Sequence, residues 1–337
     1  MIAVEYHADL KEVQSDAQLA ALLGETAQTA PFDRLAWWRG LATHCGVTPL
    51  LAVARQGDAA AVLPLSVMAG QLGALSTWYT FRWKPIVSPG SDASVLLEAL
   101  ARDIAKRAGR IVLSGVPDEG GEASDLKRAF QNAQWLVFSE ACDKNHILHV
   151  NGRTYAEYLS GRPGPLRTTL KRKASKVRCE VYTGFDAAAW AAYESIYSQS
   201  WKPIEGSPAF LRAFAEDEGA AGRLRLAVAF AGDRAVAAQL WTVEGGTAFI
   251  HKLAHTEESK PLSPGTSLSA ALFEHAIDRD KVSHVDFGTG DDGYKRDWME
   301  AMRLRYRLEM VRPERPRNWP VLAKRFLSRL AATAKHG

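Results

Sequence analysis

Residues 260–267, Lys-Pro-Leu-Ser-Pro-Gly-Thr-Ser, have the composition of an anion-binding turn before a helix. The first amide groups of a helix have no intrahelical acceptor, and the helix dipole places about half a positive charge at that end. Gly265 would let a ligand approach the backbone closely, and Thr266 or Ser267 could cap the helix. A pyrophosphate group would fit such a turn. A capped helix after a loop is also an ordinary structural feature, so both interpretations stay open.

A second segment, residues 285–298, combines three glycines, two acids and a Lys-Arg pair on the loop that follows a predicted strand. Chemistry often occurs on such loops. Asp286 lies within the strand among apolar residues, where an unpaired carboxylate would be costly. It should therefore meet a cation or serve a site, although glycine and aspartate are also common in purely structural turns.

The elements that would position these segments occur in two similar copies. Residues 51–65 and 226–240 are identical at eight of fifteen positions and share a Gly-Asp pair between two apolar runs. A Gly-Asp pair between strands predicts a hairpin. A helical pattern precedes each hairpin, and strand, helix and strand patterns follow it. The order helix, strand, strand, strand, helix, strand therefore occurs twice.

Hydrophobic periodicity locates the remaining elements of each copy. The first copy has helices at 35–41 and from 94 and strands at 75–79 and 111–113; the second has helices at 190–197 and from 266 and strands at 248–253 and 282–287. Hairpins followed by a crossover to a parallel strand predict an α/β fold with a mixed sheet, duplicated in tandem. We predict one domain at 1–150, a second at 151–312 and a basic tail at 313–337.

Length and composition agree with two globular domains. The chain has 337 residues, 47% hydrophobic and 24% charged, which excludes disordered, collagen-like and disulfide-scaffold proteins. Three dispersed cysteines without CxxC spacing predict neither a disulfide framework nor a zinc site, and we expect no metal. No run of residues has the pattern of a signal peptide or a membrane span, so we expect a cytoplasmic protein.

The positive charge of the chain is concentrated in two stretches. The formal net charge is +4, yet residues 151–180 hold eight Lys and Arg against two Glu, and residues 301–337 hold ten against two. In the first stretch, a predicted basic helix at 166–177 carries Arg172 and Lys173. This helix could present a solvated face or bind an acidic acceptor.

The second basic stretch predicts an amphipathic helix at 319–330, with Trp319 leading its apolar face and Arg325 on its basic face. Such a helix could attach reversibly to the inner face of the plasma membrane, each basic residue near anionic lipid contributing roughly 1 kcal/mol. It could equally dock on its own domain. Aromatic residues are not interleaved with either set of charges, so nucleic acid is not an expected partner.

Several runs resemble a known family: Lys252-Leu253-Ala254, Leu262-Ser263-Pro264-Gly265-Thr266, and Asp286-Phe287-Gly288-Thr289-Gly290 followed by Tyr294-Lys295. With the element order, they resemble the acetyltransferase-like bacterial proteins once called cellulose-biosynthesis CelD-like. These belong to the GNAT superfamily and are similar to the Fem peptidyltransferases, which also have tandem GNAT domains. The resemblance covers roughly residues 30–312 and is strongest over 166–298. It implies an N-acyltransferase that uses acetyl-CoA, a longer acyl-CoA or another activated acyl donor.

The resemblance also implies candidate site residues. Ser263, Gly265 and Thr266 fall where a GNAT loop holds the donor pyrophosphate, and Tyr294 and Lys295 fall where the Fem enzymes have an aromatic-lysine pair in the active-site cleft. The predicted donor-binding residues are Lys252, Ser263, Gly265, Thr266 and Ser267. The predicted acceptor-binding residues are Arg172, Lys173, Gly288, Gly290 and Tyr294.

Direct acyl transfer needs a neutral amine, a group or water path that takes its proton, and donors for the thioester oxyanion. His251, on a strand facing the proposed donor, titrates near neutrality and is the first candidate for the base, with His255 in reserve. Asp286 could take the proton through water, and Lys252 or Lys295 could contact the acyl oxygen or a phosphate. The predicted catalytic set is His251, Asp286 and Lys295, although a lone histidine on a strand is often structural.

The sequence therefore predicts acyl transfer to an amine of a cell-envelope precursor. Several family members act on envelope glycans or lipid amines, which favours an amino sugar or polysaccharide, or a long-chain lipid amine such as a sphingoid base. Two other functions stay open. A GNAT-like pocket could bind a ligand without catalysis and act as a scaffold in envelope or exopolysaccharide assembly. Alternatively, transfer could depend on aminoacyl-tRNA, as in the Fem enzymes.

Overall fold

The computed structural model describes residues 1–333, and in its last helix it describes the side chains as far as Arg325 together with that of Leu327. The chain divides into two compact units. The first unit comprises Met1–Asp143 and Leu304–Gly337, and the second unit comprises Lys144–Arg303. Each unit contains paired β-strands with helices packed against them.

The first half of the chain supplies most elements of the first unit. Its strands are β1 (Ala3–His7), β2 (Pro49–Gln56), β3 (Ala59–Met68), β4 (Gln71–Ala74), β5 (Ile86–Val87), β6 (Arg110–Val116) and β7 (Leu136–His149), the last of which continues into the second unit. Its helices are α1 (Leu10–Ser15), α2 (Ala17–Leu22), α3 (Leu35–His44), α4 (Ala93–Arg107) and α5 (Glu122–Asn132).

The second half supplies the second unit and then returns to the first. Its strands are β8 (Arg178–Tyr182), β9 (Leu224–Ala231), β10 (Arg234–Glu244), β11 (Thr247–His255), β12 (His284–Thr289) and β13 (Ala301–Val311). Its helices are α6 (Tyr155–Ser160), α7 (Gly164–Lys173), α8 (Ala187–Ser198), α9 (Pro208–Ala220), α10 (Pro264–Glu274), α11 (Gly293–Trp298) and α12 (Trp319–Thr333).

In the first unit the strand order is β1-β2-β3-β4-β6-β13, with β5 paired to β3. The β4–β6 pair is parallel and the others are antiparallel. β13 puts Leu308 and Met310, both fully buried, into the core of this unit. The sequence-based division instead assigned residues up to 312 to the second domain. Periodicity identifies a strand, but it does not identify the sheet edge that the strand joins.

In the second unit the strand order is β7-β12-β11-β10-β9-β8, and the β11–β12 pair is parallel. Side chains alternate between the two faces of this sheet. Ala227 and Ala229 of β9 lie in a core with α6, α7, α10 and α11, whereas Leu226 and Val228 point to the opposite face. Helices α8 and α9 pack on that opposite face. We call these two surfaces the α10 face and the α8 face.

The mixed sheets confirm the predicted α/β fold class. Both predicted hairpins are present, as the antiparallel pairs β2–β3 and β9–β10. Their turns contain Gly57 and Gly232, with φ of 59° and 60°, in the left-handed region that glycine adopts without steric cost. The predicted strand at 75–79 lies earlier, at Gln71–Ala74.

The second unit also differs in detail from the predicted elements. The basic helix ends at Lys173 and continues as a 3-10 turn, Ala174–Lys176. Periodicity does not predict β7, because residues 139–142 of this strand are exposed and carry no apolar alternation. β7 nevertheless supplies side chains to the site described below.

The described part of the basic tail packs on the first unit. Leu322 is buried with Phe138 and Val311, and Arg325 forms ion pairs with Glu140 and Glu309. Trp319, in contrast, is 59% exposed. Residues 334–337 of the predicted tail lie outside the described residues. Within residues 1–333, no helix combines the length and the apolar composition needed to cross a membrane.

Candidate active site

The two parallel strands of the second unit separate at their carboxyl ends. β11 and β12 pair over three residues, from Thr247/His284 to Phe249/Asp286. β11 nevertheless continues to His255 and β12 to Thr289. The loops to α10 and α11 leave from these ends, so they lie at the same edge of the sheet. We call the region between the two unpaired strand ends the strand cleft; the two segments that the sequence analysis identified follow these ends.

A bulge in β11 turns two consecutive side chains toward the same face. Leu240 of β10 pairs with Lys252, and the next residue of β10, Trp241, pairs with Ile250. His251 is therefore the extra residue on β11. The His251 ring lies 5.0 Å from the Phe214 ring of α9, and the Lys252 ammonium lies 5.3 Å from the centre of the Tyr197 ring of α8. Both side chains thus belong to the α8 face.

His251, the predicted base, is held by its neighbours on this face. Its Nε2 lies 2.8 Å from the Thr242 hydroxyl, and the rings of Phe214 and Phe249 flank it. His255, the reserve candidate, lies farther along β11, where the Trp201 ring is 4.4 Å away. The two histidines are therefore not equivalent: a hydroxyl holds His251, whereas His255 lies against the half-exposed Trp201 indole and its Nδ1 is 3.0 Å from the Thr256 carbonyl oxygen.

Lys252, predicted to bind the donor, lies in an ion pair on the α8 face. Its Nζ is 2.8 Å from Glu205 Oε2, and each side chain is 10% exposed. Burial lowers the pKa of Lys252, although the Glu205 carboxylate acts in the opposite direction. Burial, together with Glu205, raises the pKa of the neighbouring Tyr197 to about 12. The predicted donor-binding segment at the start of α10 lies on the other face.

The start of α10 has the geometry of an anion site. Ser263 has φ 53° and ψ 47°, and its hydroxyl accepts a hydrogen bond from Lys173 Nζ at 3.0 Å instead of capping the helix. Pro264 begins the helix, so the amides of Gly265 and Thr266 follow in the first turn, where a helix has no internal acceptors. Two amides, a hydroxyl and an ammonium therefore converge at one helix start.

The other residues predicted around this turn have different environments. Ser267 is buried, and its hydroxyl points back to the Ser263 carbonyl at 3.5 Å. Lys173, predicted to bind the acceptor, lies instead beside the predicted donor turn, while Arg172 on the same helix is exposed. Helix α7 packs against α10, and this packing brings Lys173 to the turn.

Asp286 organises the turn that follows β12. Its Oδ1 accepts hydrogen bonds from Asn145 Nδ2 at 2.6 Å and from the Gly288 amide at 2.8 Å. Gly288 has φ 65°, a conformation that few other residues adopt at low cost. Asp286 is 6% exposed, and these partners, an amide and a backbone N–H, compensate its burial.

The loop between β12 and α11 is held by Lys295. This residue is buried, and its ammonium donates to the Thr289 carbonyl and lies 5.4 Å from the centre of the Phe287 ring. Tyr294 is partly exposed, with its ring 5.6 Å from Phe287. Burial, assisted by the charge of Asp292, raises the pKa of Tyr294. Gly290, with φ 96°, completes the turn.

Two groups of residues at this site are absent from the sequence-based set. Lys144 and His146 of β7 bind Asp291, at 2.7 and 3.1 Å. Hydrogen bonds from Lys144 and Arg296 hold the pKa of Asp291 well below its usual range. Glu205 of the α8–α9 loop is the second omission. No local pattern predicts either group, because β7 and the α8–α9 loop reach the site only through tertiary packing.

The α8–α9 loop lies close to both sides of the cleft. Trp201 contacts His255 at the β11 end. Burial lowers the pKa of Lys202, and the negative charge of Asp292, on the β12 loop, acts in the opposite direction. The loop therefore extends from one diverging strand toward the other. Among residues 1–333, no three His, Cys, Asp or Glu side chains converge as metal ligands.

The comparisons with known proteins agree with this geometry. Residues 166–296 match the family model described as an acetyltransferase (GNAT) domain, and no curated protein matches the sequence. The structure is similar to the C-terminal domain of a putative lysylphosphatidylglycerol synthetase from Agrobacterium fabrum, at 11% identity, with 96% of each chain covered and a TM-score of 0.59.

Two further solved structures share the fold. FemX is 12% identical over 90% of this chain and 96% of its own, with a TM-score of 0.54. A tandem GNAT protein from the clavulanic acid biosynthesis pathway is 14% identical over 91% and 98%, with a TM-score of 0.52. At these identities the likeness shows the fold, and the family match shows the acetyltransferase domain. Residues 166–296 are therefore a GNAT-type acetyltransferase domain, and this match supports an acyltransferase.

Proposed function

We propose that the second unit transfers an acyl group from acetyl-CoA or a longer acyl-CoA to an amine of a cell-envelope precursor. The acceptor is an amino sugar or polysaccharide, or a long-chain lipid amine such as a sphingoid base. The observation that carries the proposal is the start of α10, where the Ser263 hydroxyl, the Lys173 ammonium and the uncapped amides of Gly265 and Thr266 lie together at the helix start that follows β11. The resemblance to envelope-modifying GNAT proteins supports the acceptor class.

The donor would lie along the strand cleft. Its pyrophosphate would accept hydrogen bonds from the amides of Gly265 and Thr266, with Lys173 neutralising charge. Its thioester would enter the gap between β11 and β12. Beyond Phe249, β11 no longer pairs with β12, so backbone amides on that edge are suitably placed to polarise the thioester carbonyl.

The acceptor amine would approach from the α8 face. Its nitrogen attacks the thioester carbon, the carbon–sulfur bond breaks, and the thiol leaves. His251, oriented by Thr242, and Lys252 both face this side and are the candidates for the proton. Asp286 and Lys295 would support the step indirectly, because their hydrogen bonds fix the Gly288 turn and the Thr289 carbonyl.

The β12 loop would line the acceptor side of the cleft. Tyr294 is the most exposed aromatic residue of that loop, and the left-handed Gly288 and Gly290 keep the backbone free of bulky side chains there. Arg172, exposed on α7, would attract an acceptor that carries phosphate or carboxylate groups.

The proposal predicts thiol release from acyl-CoA only when an amine is present. Purified protein is incubated with acetyl-CoA or palmitoyl-CoA and with glucosamine, sphinganine or no amine, and released thiol is measured. Calorimetry measures donor binding separately. Absence of both thiol release and donor binding, with every donor, would contradict the proposal.

A second candidate is transfer from an aminoacyl-tRNA. The exposed basic residues Arg167, Lys171 and Arg172 on α7, next to Lys173, would meet a polyanionic donor, and the fold shared with FemX is compatible with it. Charged tRNA in place of acyl-CoA tests this candidate: product formed only with charged tRNA would favour it over acyl-CoA.

We further propose a cytoplasmic protein that attaches reversibly to the inner face of the plasma membrane through residues 313–337. The exposed Trp319 and Leu327 support this proposal, whereas Arg325 is already engaged by glutamates. Co-sedimentation with phosphatidylserine vesicles, compared between wild type and Trp319→Ser, tests it. Equal sedimentation of the two proteins would count against attachment through this segment.

A further inference from the structure

The ion pair between Lys252 and Glu205 is unusual for its position. It is 90% removed from solvent, and a buried ion pair generally contributes little to stability, since the desolvation of both charges offsets their attraction. It lies where β11 leaves β12, one residue after the bulge that turns Lys252 to the α8 face. Because stability does not explain a charged pair at this place, we consider a role for it in the reaction.

The surroundings of Lys252 are those of a reactive amine. Tyr197 from α8 approaches it through its ring, and Glu205 and Lys202 come from the α8–α9 loop. His251 precedes it on β11. Burial lowers the pKa of Lys252, the positive charge of Lys202 acts in the same direction, and Glu205 acts against both. A lysine of this kind can lose its proton at a lower pH than an exposed lysine.

We propose that Lys252 takes the proton from the acceptor amine. Glu205 is a positioning residue that holds the Lys252 side chain toward the acceptor. This inference rests on the proposed acyl transfer and deepens it. It distinguishes Lys252 from His251, whose Nε2 is engaged by Thr242. It also gives Lys252 a different role from donor binding.

The proposed step combines two proton transfers with attack on the thioester. Neutral Lys252 accepts one proton from the acceptor ammonium, which becomes a neutral amine. The amine nitrogen forms the new carbon–nitrogen bond while the carbon–sulfur bond of the thioester breaks. The second proton of the nitrogen goes to the departing thiolate, which leaves as coenzyme A thiol. Lys252 then returns its proton to water.

The substitution Lys252→Arg separates this role from a structural one. Arginine keeps the positive charge and can still pair with Glu205, but it does not lose its proton at any assay pH. With acetyl-CoA and glucosamine at pH 7, we expect turnover to fall at least about 100-fold, while acetyl-CoA binding by calorimetry stays within about twofold. Hydroxylamine, which is mostly unprotonated at this pH, should show a much smaller loss.

Arg234 offers a matched control, because it forms an exposed ion pair with Glu258 at 2.8 Å in the same unit. The reciprocal change Arg234→Lys should leave all rates unchanged. The substitution Glu205→Gln tests positioning. Because the carboxylate raises the pKa of Lys252, its removal should shift the acidic limb of the pH profile of kcat/KM to lower pH, which a merely structural role would not do.

A readout without any acceptor completes the test. Competitive acetylation by acetic anhydride, followed by mass spectrometry, measures the titration of each lysine in the free protein. Lys252 should titrate below the exposed Lys171 and Lys260. If Lys252 titrated at the same pH as those lysines, or if Lys252→Arg turned over at the wild-type rate, the inference would be overturned while acyl transfer would stand. Absence of donor binding and thiol release in the wild type would instead contradict the proposed function.

Discussion

Ser263 shows how one residue alters the ligand chemistry of a helix start. Its hydroxyl leaves the first turn of α10 uncapped and meets Lys173. At the corresponding place in the first copy, Asp92 caps α4 by accepting from the amides of Ser94 and Val95. A carboxylate there occupies the amides and repels phosphate. The start of α10 therefore leaves amides available to an anionic ligand, whereas the start of α4 does not.

Lys173 should contribute directly to donor binding. We expect Lys173→Gln to weaken acyl-CoA binding about 10- to 100-fold, because a hydrogen bond to a charged group contributes about 1.5 to 3 kcal/mol. Calorimetry with acetyl-CoA measures the change. Lys171→Gln, on the exposed side of the same helix, is the matched control. Equal effects of the two variants would mean that Lys173 acts only through general charge.

At the scale of elements, two irregularities of the β-strands shape the site. The bulge in β11 brings His251 and Lys252 to one face, and the Gly288 turn after β12 depends on Asp286. Both occur beside the point where the parallel pair ends. Regular strands would have placed consecutive side chains on opposite faces, and Lys252 would then not meet Glu205.

Asp286 should be important for folding through its hydrogen bonds. Asp286→Ala removes the acceptor of Asn145, whose side chain is fully buried, and of the Gly288 amide. We expect a loss of about 1 to 3 kcal/mol in the free energy of unfolding for each donor left unsatisfied, measured by urea denaturation.

The isosteric change Asp286→Asn separates this role from catalysis. Asparagine keeps an acceptor oxygen at the same place but cannot take a proton from the amine. We expect stability and thiol release close to those of the wild type. Loss of turnover with unchanged stability would instead support the sequence-based proposal that Asp286 accepts the proton through water.

At the scale of the whole molecule, the chain returns to its first unit after completing the second. β13 pairs with β6, and Leu308 and Met310 fill the core of the first unit. We therefore expect a fragment of residues 1–150 to lack a cooperative unfolding transition in urea, because it lacks this strand. A cooperative transition of that fragment would favour the boundary at residue 150 that the repeat suggests.

The ion pairs of the docked tail make the stability of the first unit depend on pH. Burial would raise the pKa of Glu309, but hydrogen bonds from Arg325 and Arg110 outweigh it and hold this pKa below its usual 4.5. A carboxyl with a lowered pKa in the folded state stabilises that state above pH about 4.5, and the stabilisation is lost as the pH falls through the folded pKa.

We therefore expect Arg325→Gln to lower the free energy of unfolding by about 1 to 3 kcal/mol at pH 7 and by less at pH 3. Urea denaturation at the two pH values measures the difference. Arg128→Gln, which removes an exposed pair with Asp125, should change stability little at either pH. A constant effect of Arg325→Gln across pH would contradict the role of Glu309.

The sequence by itself determined the local features of this protein. Apolar periodicity and the Gly-Asp turns predicted both hairpins, the mixed α/β fold and a helix from residue 266, which in the structure begins at Pro264, since each depends on residues that are neighbours in the chain. The runs around Ser263 and Asp286 also carried the family resemblance. These features follow from backbone preferences and from side-chain patterns within one element.

Only the tertiary structure decided which of these residues meet. The Lys252–Glu205 pair joins a strand to a distant loop, Asn145 reaches Asp286 from β7, and β13 joins the sheet of the first unit. Side-chain direction at the bulge depends on the register between β10 and β11. Register and sheet order arise from packing between elements, which the pattern within each element does not encode.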